Sequence, residues 1–231
     1  MSKAIFNTRR ALEMRAQINF VEQLAEITQS VRELIIPGAC TGCHKPGELL
    51  CESCADLLRQ APQQLFPTVD PRCPLFALGP YSGVWRNLIL DIKIRRRYSL
   101  FPYAGALLAS GVEYLTAAGY LGEDWVVVSA PTSDRSRKKR GCDIVTEMVK
   151  HAGLPYKEVV KHAGHVADSE GLSPHERRLN LRGGIQILNS PPPRVLIIDD
   201  VITTGATIAA TADVLRGHGS KIFGGLSICG A

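Results

Sequence analysis

A chain of 231 residues, 45% hydrophobic and 21% charged, falls among ordinary globular proteins, which excludes a mainly disordered state. Gly 21 and Pro 14 are near average usage and exclude collagen-like or linker-dominated chains. The net charge of +5 is unevenly spread: Arg86 to Arg97 holds five basic residues and one acid, and Arg135 to Arg140 holds five basic residues and no acid. Two such patches suit phosphates better than a uniformly basic coat would, the plain alternative being a solvated face.

In chain order, the residues after Met1 lack the apolar stretch and cleavage site of a secretory signal. Uncharged runs such as Gly79 to Trp85 and Phe101 to Val112 fall short of the roughly 20 residues a bilayer span needs, so no membrane span and a cytoplasmic location are expected. Met14 is an alternative start. Phe20, Val21, Leu24, Ile27, Val31 and Leu34 recur at spacings of three and four, the pattern of an amphipathic helix, in an N-terminal unit of residues 1–36 that Pro37-Gly38 ends.

Residues 37–60 hold Cys40, Cys43, Cys51 and Cys54, two CxxC pairs able to converge four thiolates on a tetrahedral zinc. A closed four-sulfur site leaves no position for water, so its role is structural rather than catalytic. The alternative is two reduced thiol pairs in a loop, with His44 as a substitute ligand. Seven cysteines clustered in this way fit a reducing compartment better than a disulfide framework, and Cys73, Cys142 and Cys229 read as ordinary thiols.

Residues 61–80, a Pro-containing stretch, read as a linker to the main domain, 81–231. There, Trp85, Leu88, Ile89 and Ile92 mark a helix, and Phe101 to Ala117 a second. Strands are expected at Trp125 to Val128, Glu158 to Val160, Ile185 to Leu188, Val195 to Ile198 and Lys221 to Ile228, with helices at Gly141 to His151 and Ala206 to Arg216. Strands apolar on both sides alternating with helices imply an α/β fold with a mainly parallel sheet flanked by helices. No GxxxxGK[ST] is present, and Gly217-His218-Gly219 lacks the third glycine of a dinucleotide fingerprint.

Val195 to Ile198 runs into Asp199-Asp200-Val201-Ile202-Thr203-Thr204-Gly205-Ala206-Thr207, where a strand ends in two acids and a small-residue turn opens a helix. Hydroxyls and backbone N–H groups at a helix N-terminus suit a phosphate monoester. Carboxylates beside that cradle repel phosphate but accept hydrogen bonds from sugar hydroxyls. Cradle and acids together read as a ribose 5-phosphate site, against the alternative of exposed acids and a threonine cap at a strand end.

This segment closely resembles the PRPP-binding motif of type I phosphoribosyltransferases. Taken with Cys40 to Cys54, Tyr81-Ser82-Gly83 with Lys93 downstream, Arg140-Gly141, Gly171-Leu172-Ser173 through Glu176-Arg177 and Asn180, it is similar to the ComF family of competence-associated, phosphoribosyltransferase-like proteins over roughly residues 35 to 229. The resemblance implies a type I phosphoribosyltransferase-like fold with a small zinc-finger-like appendage. It gives the ribose hydroxyls to Asp199 and Asp200, as the catalytic acids, and the 5-phosphate to Thr203, Thr204, Gly205, Ala206 and Thr207. The Ser129 to Arg140 turn becomes a pyrophosphate loop using Ser129, Thr132, Ser133, Arg135, Arg137, Lys138, Lys139 and Arg140. Arg177 and Arg178 lie on a covering loop, although Ser173 and Glu176 also form a helix capping box. Magnesium would bridge diphosphate and ribose oxygens. Where the family reads Arg-Gly-Phe-Asn-Gln, this chain has Arg140-Gly141-Cys142-Asp143-Ile144.

The implied activity is phosphoribosyl transfer from PRPP to an acceptor the sequence leaves open. The alternatives are a single-stranded-DNA-handling protein of competence, using Lys93, Arg95, Arg96 and Arg97 beside Tyr98, Phe101 and Tyr103, and a PRPP-sensing regulator.

Overall fold

The apolar run Val195 to Ile198 lies in the middle of the molecule because both of its faces are covered. In the computed structural model, which describes residues 38–162 and 184–231, it belongs to a nine-residue strand, and its four side chains are fully buried. Leu196 and Ile198 join one apolar cluster while Val195 and Ile197 join another, as the two-residue period of a strand requires.

The elements run α1 (Glu52–Leu57), β1 (Gln63–Leu65), β2 (Leu75–Pro80), α2 (Gly83–Lys93), a 3₁₀ turn (Tyr98–Leu100), α3 (Phe101–Ala117) and β3 (Val126–Ser129). They continue with α4 (Asp134–Arg140), α5 (Ile144–His151), β4 (Val160–His162), β5 (Ile185–Ile187), β6 (Arg194–Ile202), α6 (Ala206–Gly217) and β7 (Lys221–Gly230). The main sheet has the order β1-β2-β7-β6-β3; β2, β7, β6 and β3 are mutually parallel and β1 is an antiparallel edge. β4 and β5 form a separate antiparallel ribbon. One face of the sheet packs on α2, α3 and α5, the other on α6 and the ribbon. The mainly parallel, helix-flanked α/β fold expected from the sequence is therefore present.

Two expectations change. The stretch 61–80 is not a linker: Leu75 to Gly79 are buried and pair with β7, and β1 extends the sheet beyond them. Pro74 and Pro80 bracket that strand and hide it from a composition-based reading, yet Pro80 is tolerated at the strand's end. The Ser129 to Arg140 turn is a turn only to Ser133; the basic run beyond it is helix α4, capped by the Ser133 hydroxyl accepting from the Ser136 N–H at 3.3 Å and closed by Gly141 at φ 79. Arginine and lysine are good helix formers, and with both caps present they continue as a helix. The expected helix Gly141 to His151 accordingly starts only at Ile144, behind its own N-cap, Asp143.

The cysteine segment is fused to the body. Cys40, Cys54 and Leu58 share one core cluster with Val84, Trp85 and Leu88 of α2. The stripe Phe20 to Leu34, the unit 1–36, the capping box at Ser173 and Glu176, and Arg177 and Arg178 lie outside the described residues. Among the described residues, no helix is long and apolar enough to cross a membrane.

Candidate functional site

β6 extends four residues beyond Ile198, where β3 stops opposite it at Ser129, so Asp199, Asp200 and the turn after them stand at the carboxyl edge of the parallel sheet. That edge is where open α/β sheets place ligands. The turn Thr203-Thr204-Gly205 opens α6, a 12-residue helix whose first amides have no partners within the helix. Thr203 is exposed, Thr204 and Thr207 half-buried, and Gly205 and Ala206 buried; the Thr204 hydroxyl receives the Ala206 N–H at 3.4 Å. Together with Asp199 they line a shallow recess of ≈ 30 Å³.

Gly205 has φ 76, which a side chain disfavours. A Cβ there would meet Pro67 Cβ at 2.8 Å and the Val69 carbonyl oxygen at 3.0 Å. The Val69 N–H also donates to the Thr204 carbonyl at 3.0 Å. Residues 67–69 thus back the cradle from behind, a role no local motif signals in the sequence.

The acid pair is electrostatically loaded. Asp199 accepts the Asp200 N–H at 2.8 Å, yet burial, followed by the charge of Asp200, pushes its carboxyl up to about 8; the N–H bond and Lys93 act in the opposite direction, and Asp143 adds to the rise. Asp200 is 8% exposed and pairs with Lys93 Nζ at 2.7 Å. Buried Cys229 on β7 feels the same acid, and burial first, then Asp200, drives its thiol up to about 12.

Of the expected pyrophosphate residues, Ser129 ends β3 in a hydroxyl cluster with Thr146 (3.4 Å) and Tyr156 (3.4 Å), and Thr132 and Ser133 form the turn. Arg135 lies in the first turn of α4, with Arg137, Lys138, Lys139 and Arg140 beyond it. Arg137 faces Asp143 at 3.8 Å and Glu158 at 3.7 Å. The Nε atoms of Arg137 and Arg140 are buried with no hydrogen-bond partner among the described residues. The Ala130 N–H, bonded to the Ile198 carbonyl at 2.8 Å, ties this turn to β6.

The arginines of the Lys93 to Arg97 patch find partners within the chain. Arg95 and Arg97 (2.6 Å) both pair with Asp91, which is 0% exposed and also receives the Thr41 hydroxyl at 2.7 Å. Arg96 donates to the Lys139 carbonyl and the Tyr98 hydroxyl to the Arg140 carbonyl at 2.5 Å, so the turn after α2 holds the end of α4. Arg95, Arg96 and Arg97 are thus each held by a partner within the chain, although Arg95 and Arg96 stay exposed to solvent.

The four cysteines come together: their sulfurs all lie within 4.8 Å of one another, with Cys51 at 3.6 Å from both Cys40 and Cys43. Tetrahedral zinc–thiolate bonds of about 2.3 Å set sulfurs about 3.8 Å apart, so the cluster has the geometry to hold a zinc ion. Burial opposes ionisation of Cys40, but the N–H groups of Cys51, Cys43 and Gly42 outweigh it and bring its thiol down to about 6. Cys54, by burial and then by its neighbouring thiols, is pushed up to about 12. His44 is exposed and outside the cluster. A larger, apolar cavity of ≈ 750 Å³ lies elsewhere, between Leu58, Trp85 and α3, and contains none of the residues expected to bind PRPP.

No family model matches this chain, and no curated protein matches it. Among solved structures it is similar to a hypoxanthine phosphoribosyltransferase from Staphylococcus aureus, at 15% identity and a TM-score of 0.31 over 55% of this chain and 59% of that one. It is also similar to an adenine phosphoribosyltransferase, at 17% identity and a TM-score of 0.37 over 77% of this chain and 89% of that one. The chain thus spans about 59% of the length of the Staphylococcus aureus structure.

Proposed function

We propose that the chain is a phosphoribosyltransferase-like protein of the ComF family that binds PRPP and transfers its phosphoribosyl group to an acceptor. The observation that carries this reading is one continuous segment, Asp199 to Thr207, in which the acid pair and the N-terminus of α6 stand side by side at the carboxyl edge of a parallel sheet. A sugar with vicinal hydroxyls and a 5-phosphate makes both demands at once. In this reading Asp199 and Asp200 accept hydrogen bonds from the ribose hydroxyls. Thr203, Thr204, Gly205, Ala206 and Thr207 hold the phosphate.

Ser129, Thr132 and Ser133, with the cations of α4, face the diphosphate; the Nε atoms of Arg137 and Arg140, without a partner among the described residues, are donors of the kind an anion completes. The acceptor's lone pair attacks the anomeric carbon as the bond to the diphosphate oxygen breaks. The diphosphate leaves with that electron pair, and the acceptor gives up a proton. The chain's residues bind and orient the reactant and balance the departing charge, with no covalent nucleophile required. Magnesium bound together with the diphosphate would stabilise the charge of the leaving group.

Zinc at Cys40, Cys43, Cys51 and Cys54 is read as structural, in a chain working in the reducing cytoplasm. Calorimetry with PRPP and magnesium, then with ribose 5-phosphate, tests the reading: both are expected to bind, and a protein that binds neither overturns it. Pyrophosphate release across a panel of nucleobases then identifies the acceptor, whereas PRPP binding without release on any acceptor assigns a sensor.

A further inference from the structure

The period-two alternation that seats Leu196 and Ile198 against α2, α3 and α5 carries Asp200 onto that same face, and Asp199, in step with Val195 and Ile197, onto the face of α6. Asp200 is therefore turned toward α2. A carboxylate this deeply buried needs a cation to hold it. Lys93, the last residue of α2, provides one at 2.7 Å, with its own side chain 29% exposed.

The position of Lys93 is itself fixed. Two residues earlier on the same helix, Asp91 is gripped by Thr41 from the cysteine segment and by Arg95 and Arg97 from the following turn. Arg97 also donates to the Ala39 carbonyl at 2.8 Å. The helix is pinned at Asp91 and presents its terminal ammonium to the acid pair.

Resting on the reading of Asp199 and Asp200 as the acids that meet the ribose hydroxyls, we propose that Lys93 is the positioning residue of the ribose subsite, fixing the Asp200 carboxylate in place and offsetting the repulsion between the two acids. Lys93 does not touch the 5-phosphate cradle, whose lining comes from β6, the turn after it and α6. Its loss therefore weakens recognition of the sugar and leaves recognition of the phosphate alone unchanged. Among the described residues, the titratable groups that act on Asp199 are Asp200, Lys93 and Asp143, with Cys229 set against Asp200.

The test compares wild type, Lys93→Met and Lys93→Arg with two probes, ribose 5-phosphate and inorganic phosphate, and follows the ligand-free Asp199 carboxyl by ¹³C NMR against pH. The methionine variant is expected to bind ribose 5-phosphate roughly tenfold more weakly or worse, to bind inorganic phosphate as wild type does, and to titrate Asp199 at higher pH. Lys93→Arg is expected to recover most of the sugar affinity, since it keeps the charge. If wild type binds ribose 5-phosphate and the methionine variant binds it equally well, the role of Lys93 is wrong while the reading of the acids stands. Equal loss of both probes, or an unmoved Asp199 titration, overturns the role as well, by showing general damage or no action on the acids. A wild type that binds neither probe overturns the reading of the acids itself.

Discussion

The cysteine knuckle and the turn from Thr203 to Thr207, proposed above to cradle phosphate, are both compact loop sites, yet they are assembled in opposite ways. The knuckle is local: Cys40 to Cys54 supply every sulfur, and the amides of Gly42 and Cys51 point at Cys40 from within the same stretch. The cradle is local only at its centre. Val69 backs it, Lys93 pairs with its neighbouring acid, and Asp143 adds charge, each from a separate element. The knuckle draws its ligand atoms from one short stretch, whereas the cradle depends on the sheet and the elements packed on it.

The largest test of that contrast is to remove the knuckle's proposed metal. About one zinc per chain is expected, lost with Cys43→Ser or a strong chelator, and structural zinc binding contributes about 10–16 kcal/mol in small domains. Cys40 and Cys54 share a core with Trp85, so the thermal transition of the whole body is expected to fall, and not that of the cysteine segment alone. Unchanged melting in metal-free protein would mean the thiols need no cation.

Asp91→Ala comes next. It leaves Arg95 and Arg97 without their carboxylate and is expected to cost about 3–5 kcal/mol in urea unfolding. A cost under about 1 kcal/mol would show that the knuckle and the body are not joined through this residue.

The acid pair should appear in the pH dependence. Asp199 is raised from 3.8 to about 8, so the folded chain holds a proton that the unfolded chain has released. Its contribution to stability is fully present below 3.8 and is lost as pH rises to about 8, and Asp199→Asn should flatten that slope in urea midpoints measured across the range. Parallel slopes for the two proteins would place the titration elsewhere.

The smallest effect expected is at Gly205. Replacement with Ala should cost about 1–2 kcal/mol because of its positive φ, aggravated by the approach of Pro67 and Val69. Gly217→Ala, at a helical position with open space around it, should be neutral or stabilising by about 0.5–1 kcal/mol. Equal melting shifts for the two would mean that residues 67–69 do not shape the cradle.

What was legible in the sequence follows the same division. The opening of α6 at Ala206 and the convergence of the four cysteines depend on neighbours in the chain, and both are present, whereas the strand expected to end at Ile198 runs on through Asp199 and Asp200 to Ile202 because β7 pairs with it that far. Lys93 sits in a basic stretch whose composition points to phosphates, whereas its partner, Asp200, comes to it only through the packing of α2 on the sheet. Asp91 looked like one acid diluting five cations, when it is the buried residue two of those cations serve. β2 escaped notice because its apolar residues sit between prolines, and parallel pairing with β7, some 150 residues away, supplies what local pattern did not. The basic run of α4 has the charge of a phosphate loop, and its caps, Ser133 and Gly141, are what make it a helix.

The grip on Asp91 also sets where this chain can be cut. A minimal sheet-bearing fragment beginning at residue 61 would look sensible from the strand order alone. It would, however, remove the Thr41 hydroxyl and the Ala39 carbonyl, strip the cover from Trp85, and leave an acid with two arginines on a helix exposed along one side. The cysteine segment therefore belongs to the smallest unit that can be expressed, swapped or grafted with its binding properties intact.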